Sequence, residues 1–352
     1  MGSDPHRGQR ILVGMSGGVD SAYCAMKLLR MGYSVEGAFL IMHSDSELKY
    51  AEATAHDLGI PLHVLDCREL FDKTVKRNFA LEYSCGRTPN PCVICNEQVK
   101  LRRLYDHARS LGIDRIATGH YARVTLLPNG RYTVAVADDL SKDQSYMLSR
   151  LPQDILSSLV LPMWDEHKRD VRREAAEKRL CSADRPDSME ICFIEEGKYT
   201  DYLESVLGPS AEGDFVDGEG RVLGRHKGII HYTVGQRKGL GISLGARAFV
   251  RAIDPQTNRV ELCLTTAGVE RIELQRPVLL GYEPSDDGST FAATVKLRYS
   301  AAMLPCRVTV TRLDGDYGVE ITLDSPTPFV TPGQSAVVYS EGAVLLSGFI
   351  NQ

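Results

Sequence analysis

Ile11-Leu12-Val13-Gly14-Met15-Ser16-Gly17-Gly18-Val19-Asp20-Ser21 passes from an apolar triplet straight into a glycine- and serine-rich turn. The triplet reads as a strand, and Ala22, Ala25, Met26 and Leu29 then recur at helical spacing. A glycine-rich turn between a strand and a helix lets backbone N–H groups approach an anion, and the helix start adds the positive end of its dipole. Ser16 and Ser21 offer hydroxyls to phosphate oxygens, and Asp20 offers a carboxylate to Mg²⁺. No Gly-Lys-Ser/Thr follows, so this is not a Walker loop and does not read as a γ-phosphate-transfer site. The plainer alternative is a ligand-free structural turn. The two serines, the aspartate and the first-strand position together argue against it.

Downstream the same alternation repeats. Residues 35–40 read as a strand, 48–58 as a helix ended by Gly59 and Pro61, and 62–65 as a strand. Residues 70–83 read as a helix and 116–118 as a strand. Repeated β-α units of this length predict a parallel sheet with helices on both faces. Residues 150–185 read as mostly helical, with the charges of 169–180 as a solvated face. Beyond about residue 212 short β-rich runs recur between the turn signals Asp217-Gly218, Asp254-Pro255, Asp314-Gly315 and Pro332-Gly333. Residues 291–297, 306–312 and 336–339 supply strands there. The expected division is 1–205 for an α/β catalytic domain, 206–270 for a central β-rich domain and 271–352 for a barrel-like one.

The net charge of −5 excludes a chain that grips nucleic acid over its whole surface, so a nucleic-acid partner needs a local basic face. No apolar run is long enough for a membrane helix, and the polar first ten residues do not read as a signal peptide. Nine cysteines, an odd number spread thinly, suit a reducing compartment better than a disulfide scaffold, which makes the cytoplasm the expected location. Cys92 and Cys95 form a C-x-x-C after Thr88-Pro89-Asn90-Pro91. The prolines hold the approach extended, and a helix is expected to start at about Cys95, where its dipole favours a thiolate. By itself the pair also fits half of a zinc site, a redox pair or two unrelated cysteines. Cys192, in Ile191-Cys192-Phe193-Ile194 after the polar run 187–190, reads on its own as a buried strand cysteine. Cys24, Cys67, Cys181, Cys263 and Cys306 read as core hydrophobes.

Taken in order, these motifs resemble the bacterial tRNA-specific 2-thiouridylases of the PP-loop ATP pyrophosphatase superfamily. The resemblance rests on residues 14–21, on Thr88-Pro89-Asn90-Pro91 with Cys95-Asn96, and on Thr118-Gly119-His120-Tyr121-Ala122-Arg123. It continues in Lys142-Asp143-Gln144-Ser145-Tyr146, Ile191-Cys192-Phe193-Ile194, the run 231–239, Arg298-Tyr299 and Pro332-Gly333-Gln334. It implies an adenine nucleotide alpha hydrolase-like domain followed by two small β-rich domains. The reaction it implies is ATP-dependent thiolation of the wobble uridine of tRNA: the C2 oxygen is adenylated, then sulfur passes through a Cys192 persulfide and Cys95. A Cys95–Cys192 disulfide is an implied end product. ATP and Mg²⁺ are the implied ligands, held by Gly14, Met15, Ser16, Gly17, Gly18, Val19, Asp20, Ser21, Leu40 and Gly119. The implied tRNA contacts are Asn90, Pro91, Cys92, His120, Lys142, Asp143, Gln144, Arg298, Tyr299 and Gln334. The target base must leave the anticodon stack for its C2 to be reached. A sulfur-donor protein, a persulfide carrier or a cysteine desulfurase, is the second implied partner; no membrane is involved.

Many members of that family carry an aspartate where this chain has Cys92. Cys92, Cys95 and Cys192 therefore form a candidate three-thiolate set for a 4Fe–4S cluster with one open iron. Leu40 stands where methionine is common, and the stretch between Leu40 and Leu58 is shorter than usual. Two other readings compete: a PP-loop ligase for a small molecule, of the amidating or argininosuccinate-forming kind, and a non-catalytic RNA-binding metalloprotein.

Overall fold

The computed structural model describes residues 6–178, 180, 182, 191–194, 199–265, 268–284, 288–313 and 315–351; Cys181, the run 187–190 and Asp314 lie outside them. The chain divides into two compact units. The first comprises Met1–Thr74, Cys92–Met189 and Glu341–Leu345, and the second Val75–Pro91, Glu190–Ser340 and Leu346–Gln352.

The first unit contains β1 (Arg10–Gly14), β2 (Ser34–Ile41), β3 (Leu62–Asp66), β4 (Arg115–Thr118), β5 (Arg123–Leu126), β6 (Tyr132–Ala135) and β7 (Leu159–Val160). The main sheet is parallel throughout, in the order β3-β2-β1-β4-β7. Side chains alternate across it. Ile11 and Val13 enter one core with Ala22, Ala25 and Met26 of the helix Val19–Arg30, while Gly14, on the opposite face, lies against Leu104 of the helix Leu101–Ser110. The helix Leu48–Leu58 ends on Gly59 at φ 65°, the left-handed cap that glycine makes without strain. The chain moves outward from β1 to β2 and β3, then crosses to β4 on the other side. Strand order thus reverses between β1 and β4, and in open α/β sheets ligands bind outside the carboxyl ends of the strands at such a point.

Three local expectations need correction. The helix expected over 70–83 is Arg68–Phe71 and Arg77–Ser84 with a π turn, Asp72–Lys76, between them. The region 150–185 holds the helices Gln153–Ser158 and Lys168–Glu177, but β7 lies between them as a fifth parallel strand. Two residues with helices on either side carry too short a pattern to read as a strand. The helix expected to start near Cys95 opens at Pro91 instead.

In the second unit β8 (Gly213–Val216), β9 (Val222–His226), β10 (Phe249–Asp254) and β11 (Arg259–Cys263) form a sheet ordered β10-β11-β8-β9 over a core of Phe215, Tyr232, Val250 and Val260. The strands β12 (Val269–Leu279), β13 (Ser289–Lys296), β14 (Leu304–Leu313), β15 (Asp316–Thr327), β16 (Ser335–Ser340) and β17 (Ala343–Asn351) follow. They run in the order β12-β15-β14-β13-β16-β17, and β12 also pairs with β17, which closes a barrel. No described helix is long and apolar enough to cross a membrane.

The sheet's switch point depends on a close approach. A Cβ on Gly119, just after β4, would sit 2.8 Å from the Asp20 carbonyl and 2.9 Å from the Ser21 nitrogen. Those are backbone atoms and cannot swing away. Gly119→Ala is expected to cost about 1–3 kcal/mol, read as a lowered urea midpoint with an unchanged m-value.

Candidate active site

The 14–21 loop leaves the carboxyl end of β1 already braced on itself. The Ser16 N–H donates to Ser21 Oγ at 3.1 Å, Ser21 Oγ donates to the Gly18 carbonyl at 2.9 Å, and the two hydroxyl oxygens lie 3.2 Å apart. Gly17 takes φ +76°, where a side chain would be strained. Met15 is buried, its backbone N–H bonded to the Ala38 carbonyl at 2.8 Å, and its side chain fills the space left by Gly37. Val19 and Leu40 are buried too, so they shape the floor of the site without offering polar groups.

Asp20 is the hub. Its carboxylate accepts from Lys168 Nζ at 2.7 and 2.6 Å and from the Tyr121 hydroxyl at 2.8 Å. Sequence reasoning missed Lys168: it is buried, opens the helix Lys168–Glu177, and stands one residue before the stretch taken as a solvated face. Both carboxylate oxygens of Asp20 thus accept from a protein cation, which fixes their orientation at the loop.

From Tyr121 a chain of hydrogen bonds reaches the cysteine helix. The Tyr121 N–H donates to Gln144 Oε1 at 3.0 Å, and the Gln144 N–H returns to the Tyr121 carbonyl at 2.7 Å. The Met147 N–H bonds the Gln144 carbonyl at 3.0 Å, and Asn96 Nδ2 donates to the Met147 carbonyl at 3.1 Å. Next to Asn96, Glu97 pairs with the buried Arg150 at 3.0 Å. Removing one member of a buried pair is far more costly than the pair's net contribution, so this second tie fixes the helix firmly against the 145–150 segment.

Cys95 precedes Asn96. It is buried, with Sγ 3.5 Å from Met42 Sδ, and it stands one turn inside a helix, Pro91–Cys95, that continues through a π turn, Asn96–Lys100, into Leu101–Ser110. The first-turn thiol is that of Cys92. Cys92 is solvent-accessible yet ringed closely enough that desolvation raises its pKa, with Lys100 only partly offsetting this. The helix start therefore does not present Cys92 as a thiolate. Lys100, which also acts on His120, has no ion pair among the described residues.

The residues expected to touch tRNA divide into two groups. His120, Lys142, Asp143 and Gln144 belong to the first unit. Asp143 is buried, and its carboxylate accepts from the N–H groups of Ala137 and Ser145 and from the Ser145 hydroxyl at 2.8 Å, so it shapes its loop from within. His120 is held by Thr118 Oγ1 at 2.8 Å from Nδ1; desolvation first, and the Lys100 charge second, push its pKa down to about 3. It is neutral at pH 7 and contributes no charge to a phosphate. Asn90, Pro91, Arg298, Tyr299 and Gln334 belong to the second unit. Arg298 is exposed, and Lys296 Nζ lies over the Tyr299 ring, 5.5 Å from its centroid. Cys192, also in that unit, is exposed on a turn closed by the Ile194 N–H to the Ile191 carbonyl at 2.9 Å. Ile191 and Phe193 on either side pack against the cluster of Phe79, Tyr83 and Leu203. The buried-strand reading of Cys192 is overturned: its neighbours anchor the turn and the cysteine faces outward.

Among the described residues no three His, Cys, Asp or Glu side chains come together to hold a metal ion. The three-thiolate cluster is therefore not supported. Cys24 and Cys306 are core residues as expected, burial pushing the Cys306 thiol up to about 11.

Two outcomes follow from the charges. Lys168→Met strands the Asp20 carboxylate, and a loss of about 1–3 kcal/mol is expected in thermal or urea unfolding at pH 7. The depressed His120 pKa means that its contribution to stability is complete above pH 6.5 and is lost as pH falls toward 3. Urea midpoints measured from pH 7 to 4.5 should therefore fall more steeply for the parent than for His120→Gln; equal slopes would count against the assignment.

Three family models cover the chain in succession: a tRNA methyl transferase HUP domain over residues 9–196, a tRNA methyl transferase PRC-barrel domain over 200–263, and an aminomethyltransferase beta-barrel domain over 269–350. A curated relative from Lachnoclostridium phytofermentans, tRNA-specific 2-thiouridylase MnmA, is 39% identical over 97% of this chain and 98% of its own length. Relatives of the same name from Thermobifida fusca, at 40%, and Chloroflexus aurantiacus, at 41%, each match 97% of this chain and 95% and 98% of their own lengths. The models' descriptions speak of methyl transfer and the relatives' names of thiolation; the relatives align end to end and so weigh more. With its α/β unit, central sheet and closed barrel in the matching order, the chain belongs to the tRNA-specific 2-thiouridylase family.

Proposed function

We propose that this chain is a tRNA-uridine 2-sulfurtransferase that uses ATP to replace the C2 oxygen of a wobble uridine with sulfur. One observation carries the reading: the self-braced 14–21 loop at the switch point is joined to Cys95 by the Asp20–Tyr121–Gln144–Met147–Asn96 chain of hydrogen bonds. The nucleotide loop and Cys95 then share one hydrogen-bonded frame within the first unit.

ATP is a substrate here. Residues 14–21 would cradle its phosphates, with Leu40 and Gly119 beside the nucleotide and Lys168 supplying a fixed positive charge. Mg²⁺ fits best as a companion of the phosphate oxygens, because Asp20 is engaged by Lys168. The uridine O2 attacks the α-phosphorus, pyrophosphate leaves, and C2 now carries AMP, a far better leaving group than oxide. Cys192 accepts sulfur from a donor protein as a persulfide. Its terminal sulfur attacks C2, AMP departs, and a C2–S–S–Cys192 bond remains. The Cys95 thiolate attacks Cys192 Sγ, the S–S bond breaks toward C2, and 2-thiouridine leaves a Cys95–Cys192 disulfide for a cellular thiol to reduce. The outward-facing Cys192 suits delivery by a protein donor, and the buried Cys95 suits protection of a nucleophile from stray oxidants.

Asn90, Pro91, Cys92, His120, Lys142, Gln144, Arg298, Tyr299 and Gln334 are proposed to face the RNA, Asp143 acting through its loop. The same reading assigns residues 1–205 to catalysis, 206–270 and 271–352 to the two β domains, and the protein to the cytoplasm. The expected outcome is ATP-dependent 2-thiouridine in unmodified tRNA incubated with a persulfide donor, detected by nucleoside mass spectrometry. Cys95→Ser and Cys192→Ser should each reduce it by at least about 10³-fold while leaving RNA binding intact. Full activity in both variants would point instead to a small-molecule PP-loop ligase or to another sulfur route.

A further inference from the structure

Three motifs that lie far apart in the sequence converge, within the second unit, on the loop that precedes the cysteine helix. The Thr88 N–H donates to the Pro332 carbonyl at 2.8 Å, and Gln334 Nε2 donates to the Thr88 carbonyl at 2.7 Å. The Thr88 hydroxyl donates to Thr233 Oγ1 at 3.2 Å. Gly333 takes φ +87°, and a Cβ there would come within 3.0 Å of both Arg87 Cβ and the Thr88 nitrogen. Arg87 is itself held by Glu82 at 2.6 and 2.9 Å. The grasping turn is pinned from behind, the Gly333 N–H to the Ile350 carbonyl at 3.1 Å and the Ile350 N–H to the Gln334 carbonyl at 2.8 Å. One barrel turn and Thr233 thus engage both backbone groups of Thr88 and its side chain.

The loop needs such an outside anchor. Pro89 and Pro91 have no N–H to donate, so Thr88-Pro89-Asn90-Pro91 has few bonds with which to fix itself. The same prolines restrict φ and the residues before them, so the placement of Thr88 is passed along the chain to Cys92 and, one helical turn later, Cys95.

We propose that Gln334 is a positioning residue: through the Thr88 carbonyl it sets the loop that presents Asn90, Cys92 and Cys95, beyond any contact it makes with RNA. The inference rests on the thiolation reading for its catalytic consequence, but not for its structural one.

Gln334→Met keeps the length of the side chain and removes the amide. Four quantities are compared with the parent: the melting temperature, RNA affinity, single-turnover 2-thiouridine formation at saturating RNA, and iodoacetamide labelling rates of Cys92 and Cys95 without RNA. Loss of one positioning bond predicts turnover at saturating RNA lower by about tenfold and RNA-free labelling of at least one of the two cysteines changed severalfold, while any change in RNA affinity reports Gln334's own contact with RNA. Gly333→Ala, which removes no group that could touch RNA, should reproduce the pattern. Thr88→Val, which deletes only the hydroxyl bond, should give a smaller version and serves if the glycine variant does not fold. The proposal is overturned if Gln334→Met weakens RNA binding about tenfold while saturated turnover and RNA-free labelling stay unchanged, or if all four quantities stay unchanged. A parent protein that forms no 2-thiouridine would sink the thiolation reading alone, since the labelling comparison still decides the clasp.

Discussion

Asp20 accepts three hydrogen bonds, two from the Lys168 ammonium and one from the Tyr121 hydroxyl, and the polar contacts at the first unit's switch point are arranged around that carboxylate. Without it the loop after β1, the segment after β4 and the helix Lys168–Glu177 would have no common polar anchor. Lys168 is buried and charged, so the pair is costly to form and more costly to half-remove, which makes it a device for fixing geometry more than a source of net stability. Gly119 permits the anchor: only a residue without a Cβ lets the end of β4 come this close to the backbone of Asp20 and Ser21.

The network carries rigidity in a direction that matters chemically. Tyr121 and Gln144 exchange two hydrogen bonds, and the turn beginning at Ser145 passes the constraint to Asn96, beside Cys95. For the role proposed for Cys95, a thiol held close to its productive position gains more than one that must search for it. The π turn Asn96–Lys100 immediately after Cys95 belongs to the same picture, since such bulges break the helical register locally where side chains must be re-aimed.

Much of this was legible in the sequence, and the parts that were not share a cause. The 14–21 loop, the parallel sheet and the β-rich second half could be read because glycine, serine and alternating apolar residues act within a few positions of themselves. The helix start was misplaced because Pro91 was read as bracing an extended approach, although proline at the first helical position is also a start signal. Lys168 was invisible because its partner is 148 residues away and a charged residue before a charged helix looks like surface. The structural tasks of Asp143 and Gln334 were equally out of reach, since Asp143 is bonded within its own loop and the Gln334 amide to Thr88, 246 positions away. Cys192 was read alone as a core residue, but it is exposed and only its neighbours pack against a core cluster.

In the proposed function the loop around Asp20 activates the uridine by attaching AMP to its C2 oxygen. Transfer of an isotope tests it most directly. An anticodon stem-loop carrying ¹⁸O at C2 of the wobble uridine is incubated with the enzyme, ATP and a persulfide donor, and the nucleotide products are weighed by mass spectrometry. The account predicts one ¹⁸O in AMP for each 2-thiouridine formed and none in pyrophosphate. Label appearing in water or inorganic phosphate, with unlabelled AMP, would contradict it.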